Sequence, residues 1–425
     1  MSFRVTRASL STLTLLTVAV LLGVVSGRAE LFLASVPLAL RLLALTRSRV
    51  SPRYTLVHEV SATRLFEGEG VRLTLAMTAH TPLAQVEAFA SLPPSAELPS
   101  GAPRTVLALA AGETRRWSHE VRFPERGHQR IGAVHVRVWE PSGLAVSEAV
   151  HVEASTVQVY PRAAPLRRLP SPRRTRASVG NYVSTLVGDG IEPGEIRPFA
   201  PGDRIKHVNW RASLRLDRLY VTRHQQERNA DVVLMLDTLS QVGVGSATTL
   251  DASLRAAASL AAAYVARRDR VGLIEYGGVL RWVRPGEGRH HLERLLATLV
   301  RAEVVFTYVT RDLGLVPPGI LPPAALVLAL SPLLDARFTA ALTDLAGRGF
   351  DLVVVAVDPV SATRAALPPS LRVDTACRLW TLERRVHMAA LAARGLRVVE
   401  WRPEEPIEMA LARIVHHPHP RVLAG

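Results

Sequence analysis

Residues 188–237 read GDGIEPGEIRPFAPGDRIKHVNWRASLRLDRLYVTRHQQERNADVVLMLD, and this stretch decides the fold of the C-terminal half of the chain. Residues 232–236 form an uninterrupted apolar run, which is typical of a central parallel strand buried on both faces. Asp237 follows the run directly, and open α/β sheets place their ligands at the carboxyl ends of their strands. The preceding residues are charged and predict a type II turn over residues 200–203. The stretch therefore predicts an irregular, charged segment that leads into a buried strand.

Apolar strands alternate with amphipathic helices from residue 231 onward. Further predicted strands cover residues 271–276, 280–283, 325–330, 352–357 and 398–401. The predicted helices cover residues 250–268, 291–303, 336–346, 386–393 and 407–415. This alternation predicts an open, mainly parallel α/β sheet with right-handed crossovers.

Short motifs follow one another along the charged segment. They are Glu195-Ile196-Arg197, Pro201-Gly202-Asp203, Asn209-Trp210-Arg211, Leu219-Tyr220-Val221 and Glu227-Arg228. The series resembles the signature of the domain-of-unknown-function 58 family, although Asn209 replaces the usual aspartate and Leu214 the usual alanine. The resemblance implies a bacterial membrane protein with a von Willebrand factor A-like domain and a MoxR-type AAA+ ATPase as its partner. The family-signature residues, which form a candidate interaction surface, are Glu195, Arg197, Pro201, Gly202, Asp203, Trp210, Arg211, Glu227 and Arg228.

A von Willebrand factor A-like domain usually holds a divalent cation at the top of its sheet, so the resemblance raises the question of a metal site. Such a site needs Asp-x-Ser-x-Ser, a threonine and a later aspartate, because Mg²⁺ prefers hard oxygen ligands. Asp237 is in place, but Leu239 and Gln241 stand at the serine positions. Residues 286–291 lack the threonine, and Asp335 comes too late. We predict no metal, cofactor or catalytic site, and we expect Asp237 to cap the following turn or to pair with an arginine.

The first 50 residues carry two apolar runs. Residues 8–27 contain no charge and span about 30 Å as a helix, which is the thickness of the hydrocarbon core. Residues 31–45 form a second apolar run, which is interrupted by Pro37 and Arg41. Basic residues flank both outer ends, so the positive-inside rule predicts a transmembrane helical hairpin with both ends in the cytoplasm. The alternative is a secretory signal peptide cleaved near Gly27.

The rest of the chain divides by composition. Residues 51–160 alternate apolar and polar positions between glycine and proline turns, which predicts an all-β immunoglobulin-like sandwich. Residues 161–187 are rich in proline and arginine, which predicts a linker that is either a solvated tether or a basic strap on anionic lipid. Residues 188–230 are the family-signature segment, and residues 231–425 are the α/β, von Willebrand factor A-like domain.

Trp210 is the large aromatic ring of the signature segment, and we expect it to be a buried anchor, because burying such a ring removes much apolar area from water. Buried charges are tolerated only when they are paired. The expected pairs join the arginines Arg197, Arg211 and Arg228 to the acids Asp203, Glu195 and Glu227. The alternative is a docking surface in which Arg197 and Arg211 contact a partner.

Charge and cysteine content limit the other possibilities. The formal net charge is +15 and lysine occurs only at Lys206, so the positive charge is arginine spread along the chain. This favours a solvated basic surface, which could face anionic lipid, over a nucleic-acid site. The lone Cys377 excludes an intrachain disulfide. Residues 243–246, Gly-Val-Gly-Ser, stand where a loop can bind phosphate, but they lack the lysine of a P-loop.

These features predict a membrane-anchored, non-enzymatic interaction or scaffold protein of the cell membrane, with its soluble domains in the cytoplasm and an AAA+ ATPase as partner. One alternative is a nucleotide- or metal-binding protein that uses the sheet edge near Asp237. Another is a nucleic-acid binder that uses the arginines. The chain contains no Gly-x-Ser-x-Gly, His-Glu-x-x-His or Cys-x-x-Cys motif, so hydrolase and redox chemistry have no local support.

Overall fold

The structure is a computed structural model that describes residues 4–47, 51–99, 104–151, 155–170, 182–200, 205, 208–228, 230–309, 311–323 and 325–416. The chain divides into two compact units, Met1–Tyr160 and Pro161–Gly425. Each unit has its own sheets and its own hydrophobic core.

The first unit opens with two consecutive helices, α1 (Arg7–Ser26) and α2 (Ala29–Arg47). Gly27 ends α1 with φ 65°, a left-handed conformation that glycine adopts without the penalty of a Cβ. α1 has 20 residues and is apolar enough to cross a membrane by length and composition, whereas α2 contains Pro37 and does not meet the same criterion. The described residues thus contain one such helix, and the second span stays a prediction.

Short strands with alternating inward and outward residues make up the rest of the first unit. They are β1 (Arg4–Val5), β2 (Tyr54–Val60), β3 (Arg64–Phe66), β4 (Gly70–Ala79), β5 (Leu83–Ala90), β6 (Arg104–Leu109), β7 (Thr114–Arg122), β8 (Gly127–Ile131), β9 (Val134–Trp139), β10 (Ala145–His151) and β11 (Ser155–Tyr160). They form sheets with the strand orders β1-β10-β9-β5-β6, β2-β4-β7 and β3-β11-β8. Leu75, Val86 and Phe123 are fully buried between them. The predicted β-rich unit is confirmed.

The outer ends of α1 and α2 both contact the turn between β9 and β10. β1 is the edge strand beside β10, and Thr6 N donates a hydrogen bond to Leu144 O over 2.9 Å. Arg41, near the end of α2, donates through Nη2 to Ser142 O over 2.9 Å. The two helices therefore leave from and return to the same corner of the β-rich unit.

The signature segment contains a two-stranded antiparallel ribbon where the sequence predicts irregular backbone. β12 (Tyr182–Pro198) pairs with β13 (Tyr220–Arg228), and the register shifts along the ribbon. A short helix, α3 (Trp210–Leu216), lies between the two strands in sequence. The glycines and prolines of β12 interrupt the alternation by which strands are recognised, so the prediction was wrong here. The predicted turn at 200–203 lies mostly outside the described residues.

A six-stranded sheet forms the centre of the second unit. Its strands are β14 (Asp231–Thr238), β15 (Arg270–Gly277), β16 (Arg281–Gly286), β17 (Leu326–Ser331), β18 (Asp351–Val357) and β19 (Arg397–Trp401), in the order β16-β15-β14-β17-β18-β19. β16 runs antiparallel to β15, and the other neighbours are parallel. Every residue of the central β14 is buried, which confirms the strand predicted at residues 232–236.

Helices alternate with these strands. They are α4 (Thr249–Ala266), α5 (Arg289–Val300), α6 (Ala336–Gly347), α7 (Pro359–Ala366), α8 (Leu371–Ala393) and α9 (Ile407–His416). The predicted α/β pattern is confirmed, but α7 was not predicted, and α8 begins at Leu371 and not at the predicted residue 386. Apolar residues of α8 lie on two sides of the helix, so they do not give the single stripe by which an amphipathic helix is recognised.

Residues 161–170, the first part of the predicted linker, run along the second unit. Ala164 N donates to Ser259 Oγ of α4 over 2.9 Å, and Tyr264 Oη donates to Pro170 O over 2.7 Å. Both α4 partners are buried. A solvated tether is therefore the wrong description of residues 161–170.

Candidate functional site

Asp237 lies at the carboxyl end of the central strand β14 and is only 1% exposed. Ser331, at the end of the neighbouring β17, donates through Oγ to Asp237 Oδ2 over 2.5 Å. The backbone N of Leu239 donates to Asp237 Oδ1 over 3.0 Å. Asp237 therefore caps the turn that follows its strand, which was one of the two predicted roles.

Burial controls the protonation of Asp237. Removal of the carboxyl from water raises its pKa to about 7, and the hydrogen bonds from Ser331 and Leu239 oppose that rise. Both carboxylate oxygens already accept hydrogen bonds from the chain itself. The group is therefore a protonation-sensitive structural element of the sheet edge.

The donor set around Asp237 does not fit a divalent cation. Within the part of the chain that the structure describes, no group of three or more His, Cys, Asp and Glu side chains could hold a metal ion. Leu239 follows Asp237 where the metal-binding pattern needs a serine, and its backbone N contacts the carboxylate instead. The hydroxyl of Ser331 is also engaged twice, because it accepts from Leu333 N over 2.8 Å.

An ion pair stands beside this site at the start of α6. Arg337 Nε donates to Asp335 Oδ1 over 2.9 Å, and Arg337 Nη2 donates to Asp335 Oδ2 over 2.6 Å. The paired guanidinium holds the pKa of Asp335 below its ordinary value. Arg337 Nη1 also donates to Thr307 O over 2.7 Å. The ion pair thus fixes the loop that contains Thr307.

That loop carries exposed aromatic side chains, and we call residues 306–309 the aromatic loop. Phe306 is 76% exposed and Tyr308 is 87% exposed, and their rings meet edge to face with centroids 4.9 Å apart. On the C-terminal side of the loop, Arg311 O accepts from Tyr276 Oη over 2.7 Å, and Arg311 Nη2 donates to Gly278 O over 2.8 Å. A fixed backbone therefore presents two aromatic rings to solvent at the carboxyl edge of the sheet.

The aromatic loop was not predicted from the sequence. Residues 304–309 read VVFTYV, a composition that favours a strand, and nothing in it marks the rings as exposed. The one available signal is position, since the run follows an amphipathic helix and precedes a buried strand, where an α/β unit has its connecting loop.

A cavity of about 550 Å³ opens beside the start of α4 and the loop 243–246. Thr248 caps α4 by accepting from Asp251 N over 3.0 Å, and its own hydroxyl donates to Asp251 Oδ2 over 2.6 Å. The Asp251 carboxylate therefore already supplies the negative charge that the positive end of the helix favours. This arrangement disfavours a phosphate at the loop.

The structure corrects the expectation for Trp210. It is the first residue of α3 and is 60% exposed, so it is not the predicted buried anchor. Asn209 caps α3 by accepting from Ala212 N over 3.0 Å, and Leu214, one turn after Trp210, is also exposed. A seven-residue helix is too short to bury a broad face, so its apolar side chains remain at the surface.

The other signature residues are only partly visible. Arg211 is exposed, and Arg197 Nη1 donates to the neighbouring Pro198 O over 2.9 Å. Pro201, Gly202 and Asp203 lie outside the described residues, as do the side chains of Glu195, Glu227 and Arg228. The predicted ion pairs of this segment therefore stay predictions.

Part of the second unit matches a known protein family. Residues 195–375 match the family model described as "Protein of unknown function DUF58". The match includes the signature motifs, the sheet from β14 to β18 and the aromatic loop, and it confirms the resemblance over that part of the chain.

Uncharacterized proteins of Mycobacterium tuberculosis and Mycobacterium bovis are similar to part of the chain. Each is 28% identical over 123 residues, which is 28% of this chain and 39% of the relative. The chain thus matches well under half of the length of these relatives, and their descriptions add no activity to the DUF58 match.

Solved structures give only weak likenesses. The similarity to the CARDB domain of a Pyrococcus furiosus protein covers 25% of this chain and 88% of that domain, with 9% identity and a TM-score of 0.18. Native alpha-2-macroglobulin of Escherichia coli covers 34% of this chain and 20% of that chain, with 21% identity and a TM-score of 0.22.

Proposed function

We propose that this protein is a membrane-anchored, non-enzymatic interaction protein whose aromatic loop docks a partner at the carboxyl edge of its sheet. The observation that carries the proposal is the rigid presentation of Phe306 and Tyr308 on a backbone fixed by Arg337. Exposed aromatic side chains are over-represented among the residues that dominate binding at protein interfaces. The partner implied by the family resemblance is a MoxR-type AAA+ ATPase.

The buried carboxyl beside the loop supports docking over catalysis. Asp237 lies at the carboxyl edge where such sheets bind ligands, yet its carboxylate oxygens accept hydrogen bonds from Ser331 and Leu239. A general acid or base must reach its substrate within hydrogen-bonding distance. Asp237 is buried, so its protonation acts on the sheet edge and not on a bound substrate.

The first unit supports the membrane anchor. α1 has the length and composition of a membrane span, and β1 before it is part of a sheet. A signal peptide cleaved after α1 would remove that edge strand, so the pairing favours a retained anchor. Since α2 returns to the same corner through Arg41, the proposal keeps the two-pass hairpin with both soluble units in the cytoplasm.

The partner is tested by co-expression and co-purification of the full chain with a MoxR-type AAA+ ATPase. We expect the double variant Phe306→Ser, Tyr308→Ser to lower recovery of the ATPase at least about ten-fold, which corresponds to 1.4 kcal/mol. Its melting temperature should not change, because both rings are exposed. The matched control is Leu315→Ser, since Leu315 is exposed on the separate turn Leu313–Leu315. Equal recovery with the double variant would exclude the aromatic loop as the docking site.

The anchor is tested by alkaline phosphatase fused after Gly425. The enzyme needs an oxidising compartment to form its disulfides. We therefore expect no phosphatase activity from this fusion and strong activity from a fusion placed in the Gly27 turn. The reverse pattern would place the soluble units outside the cytoplasm.

A further inference from the structure

α8 is the longest helix of the second unit, and it has a buried face and an exposed face that carries apolar residues. One face packs on the sheet, where Cys377, Arg384 and Leu391 are buried. Arg384 fixes this face by donating to Pro332 O over 2.5 Å and to Val357 O over 3.2 Å, at the ends of β17 and β18. The orientation of α8 is therefore fixed, and its opposite face is held toward solvent.

The opposite face carries a regular apolar stripe. We call Thr375, Leu379, Leu382, Val386 and Ala389 the α8 stripe. These residues follow one another at spacings of four and three, which is the repeat of a two-stranded coiled-coil seam. Leu379, Leu382 and Val386 are each more than half exposed. Large apolar side chains at this spacing on a fixed helix indicate a missing helical partner.

Charges beside the stripe indicate what that partner is. Arg378 precedes Leu379 on one flank of the seam, and Glu383 follows Leu382 on the other. Both are exposed, and neither is in an ion pair with another residue that the structure describes. In a parallel helix pair, a residue on the flank that holds Arg378 faces the residue five positions later in sequence on the opposite flank of the other helix. Arg378 of one copy would therefore face Glu383 of a second copy, and two-fold symmetry would form this pair twice.

An antiparallel pair of the same helices would be charge-mismatched. In that arrangement the flank of Arg378 meets the same flank of the other copy, which carries Arg378 and Arg385. Like charges across the seam oppose association. A lipid surface would leave Glu383 beside anionic headgroups, which is also unfavourable.

We propose that two copies of this chain associate through parallel packing of their α8 stripes, with Arg378 of each copy paired to Glu383 of the other. Most of the stripe lies beyond residue 375, where the DUF58 match ends. The interface has three large apolar residues per copy. The area that they can bury is small compared with the standard interface area of about 800 Å² per partner. The association is therefore weak and reversible, and it needs a test that captures it in place.

Disulfide capture of the full chain in permeabilised cells is such a test, because it does not depend on where the chain resides. In a parallel pair, each stripe residue lies opposite the same residue of the other copy. Leu379→Cys and Val386→Cys should therefore each form cross-linked dimers when expressed as single variants. The wild type should give none, because Cys377 is buried on the sheet side. Leu315→Cys, on an exposed turn elsewhere, is the matched control and should stay monomeric.

Charge reversal provides the second arm. In the Val386→Cys background, Arg378→Glu and Glu383→Arg should each lower the dimer yield several-fold, and the two together should restore it. Labelling of the new cysteine by maleimide, with Cys377 protected, shows that each variant is folded. Dimers that form only from a mixture of the two cysteine variants would overturn the parallel arrangement. A cysteine that is labelled but never cross-linked would overturn the second copy as the occupant.

Discussion

Residues 232–236 and Trp210 belong to the same stretch of sequence, but the structure treats their apolar side chains in opposite ways. The strand run is buried completely at the centre of the sheet, and the tryptophan is 60% exposed on a short helix. Both were predicted to be buried. The difference shows that burial depends on the element that carries a residue more than on the residue's own apolar area.

The physical reason lies in cooperation between neighbours. β14 lies between two parallel strands, and helices pack on the sheet, so the side chains of its apolar run are buried on both faces. Trp210 is flanked by Asn209 and Arg211 on a helix of seven residues, and Leu214, the apolar residue one turn after it, is also exposed. A single large ring in a charged segment therefore predicts burial poorly, whereas a continuous apolar run predicts it well.

The largest expected effect is at the centre of the strand. Leu234 is 1% exposed, and Leu234→Ala should lower the free energy of unfolding by about 2–5 kcal/mol, because it removes buried apolar contacts and leaves a cavity. Scanning calorimetry of the full chain in detergent measures the shift of the affected transition. Leu214→Ala on α3 is the matched control and should change stability by less than about 0.5 kcal/mol, because Leu214 is exposed. Similar effects for the two leucines would contradict the contrast between these regions.

The second prediction concerns the end of the same strand and has a pH dependence. Burial raises the pKa of Asp237 to about 7, above the ordinary value near 4 that it has in the unfolded chain. The folded state therefore binds the proton more tightly, and its stability falls as the pH rises from about 4 to about 7. Asp237→Asn removes this titration. Between pH 4 and pH 8, the free energy of unfolding of the variant should therefore rise by about 1–4 kcal/mol relative to that of the wild type.

Unfolding of both proteins at the two pH values measures that gain. Asp335→Asn provides a control of opposite sign, because Arg337 holds the pKa of Asp335 below its ordinary value. The stability that Asp335 contributes is present above its ordinary pKa and is lost as the pH falls. A difference between Asp237→Asn and wild type that does not change with pH would show that the carboxyl is not desolvated.

The features that could be predicted from the sequence are those set by local patterns, such as the continuous apolar run of β14. The alternation of apolar strands and helices predicted the sheet. Asp237 takes one of its two expected roles, because it caps its turn and does not pair with an arginine in the hydrogen bonds it accepts. Its contact with Ser331 is formed across 94 positions of sequence, so no local pattern could show it. The aromatic loop and the α8 stripe were missed for a related reason, since exposure depends on which neighbours a side chain lacks in three dimensions.

A smaller loss of stability is expected where residues 161–170 of the predicted linker contact α4. Tyr264→Phe keeps the buried ring but removes the donor to Pro170 O, and it should cost about 1–2 kcal/mol because the acceptor is left unsatisfied. Trypsin should then cleave faster after Arg167 and Arg168, which lie in the released segment. Tyr308→Phe is the control, because its hydroxyl is exposed on the aromatic loop. Unchanged cleavage would show that the segment is held by other contacts.

The smallest effect is expected at the tryptophan itself. Trp210→Ala removes a ring that is already mostly in water, so it should lower the stability of the full chain by less than about 1 kcal/mol. Trp401→Ala is the matched comparison, because Trp401 is buried at the end of β19 and donates through Nε1 to Glu405 O over 2.8 Å. That variant should cost about 3–5 kcal/mol, as large-to-small changes in a core do. Calorimetry on the two variants measures both losses under one condition. A loss at Trp210 as large as that at Trp401 would mean that the ring is covered in the native protein, and the contrast between the strand and the signature segment would fail.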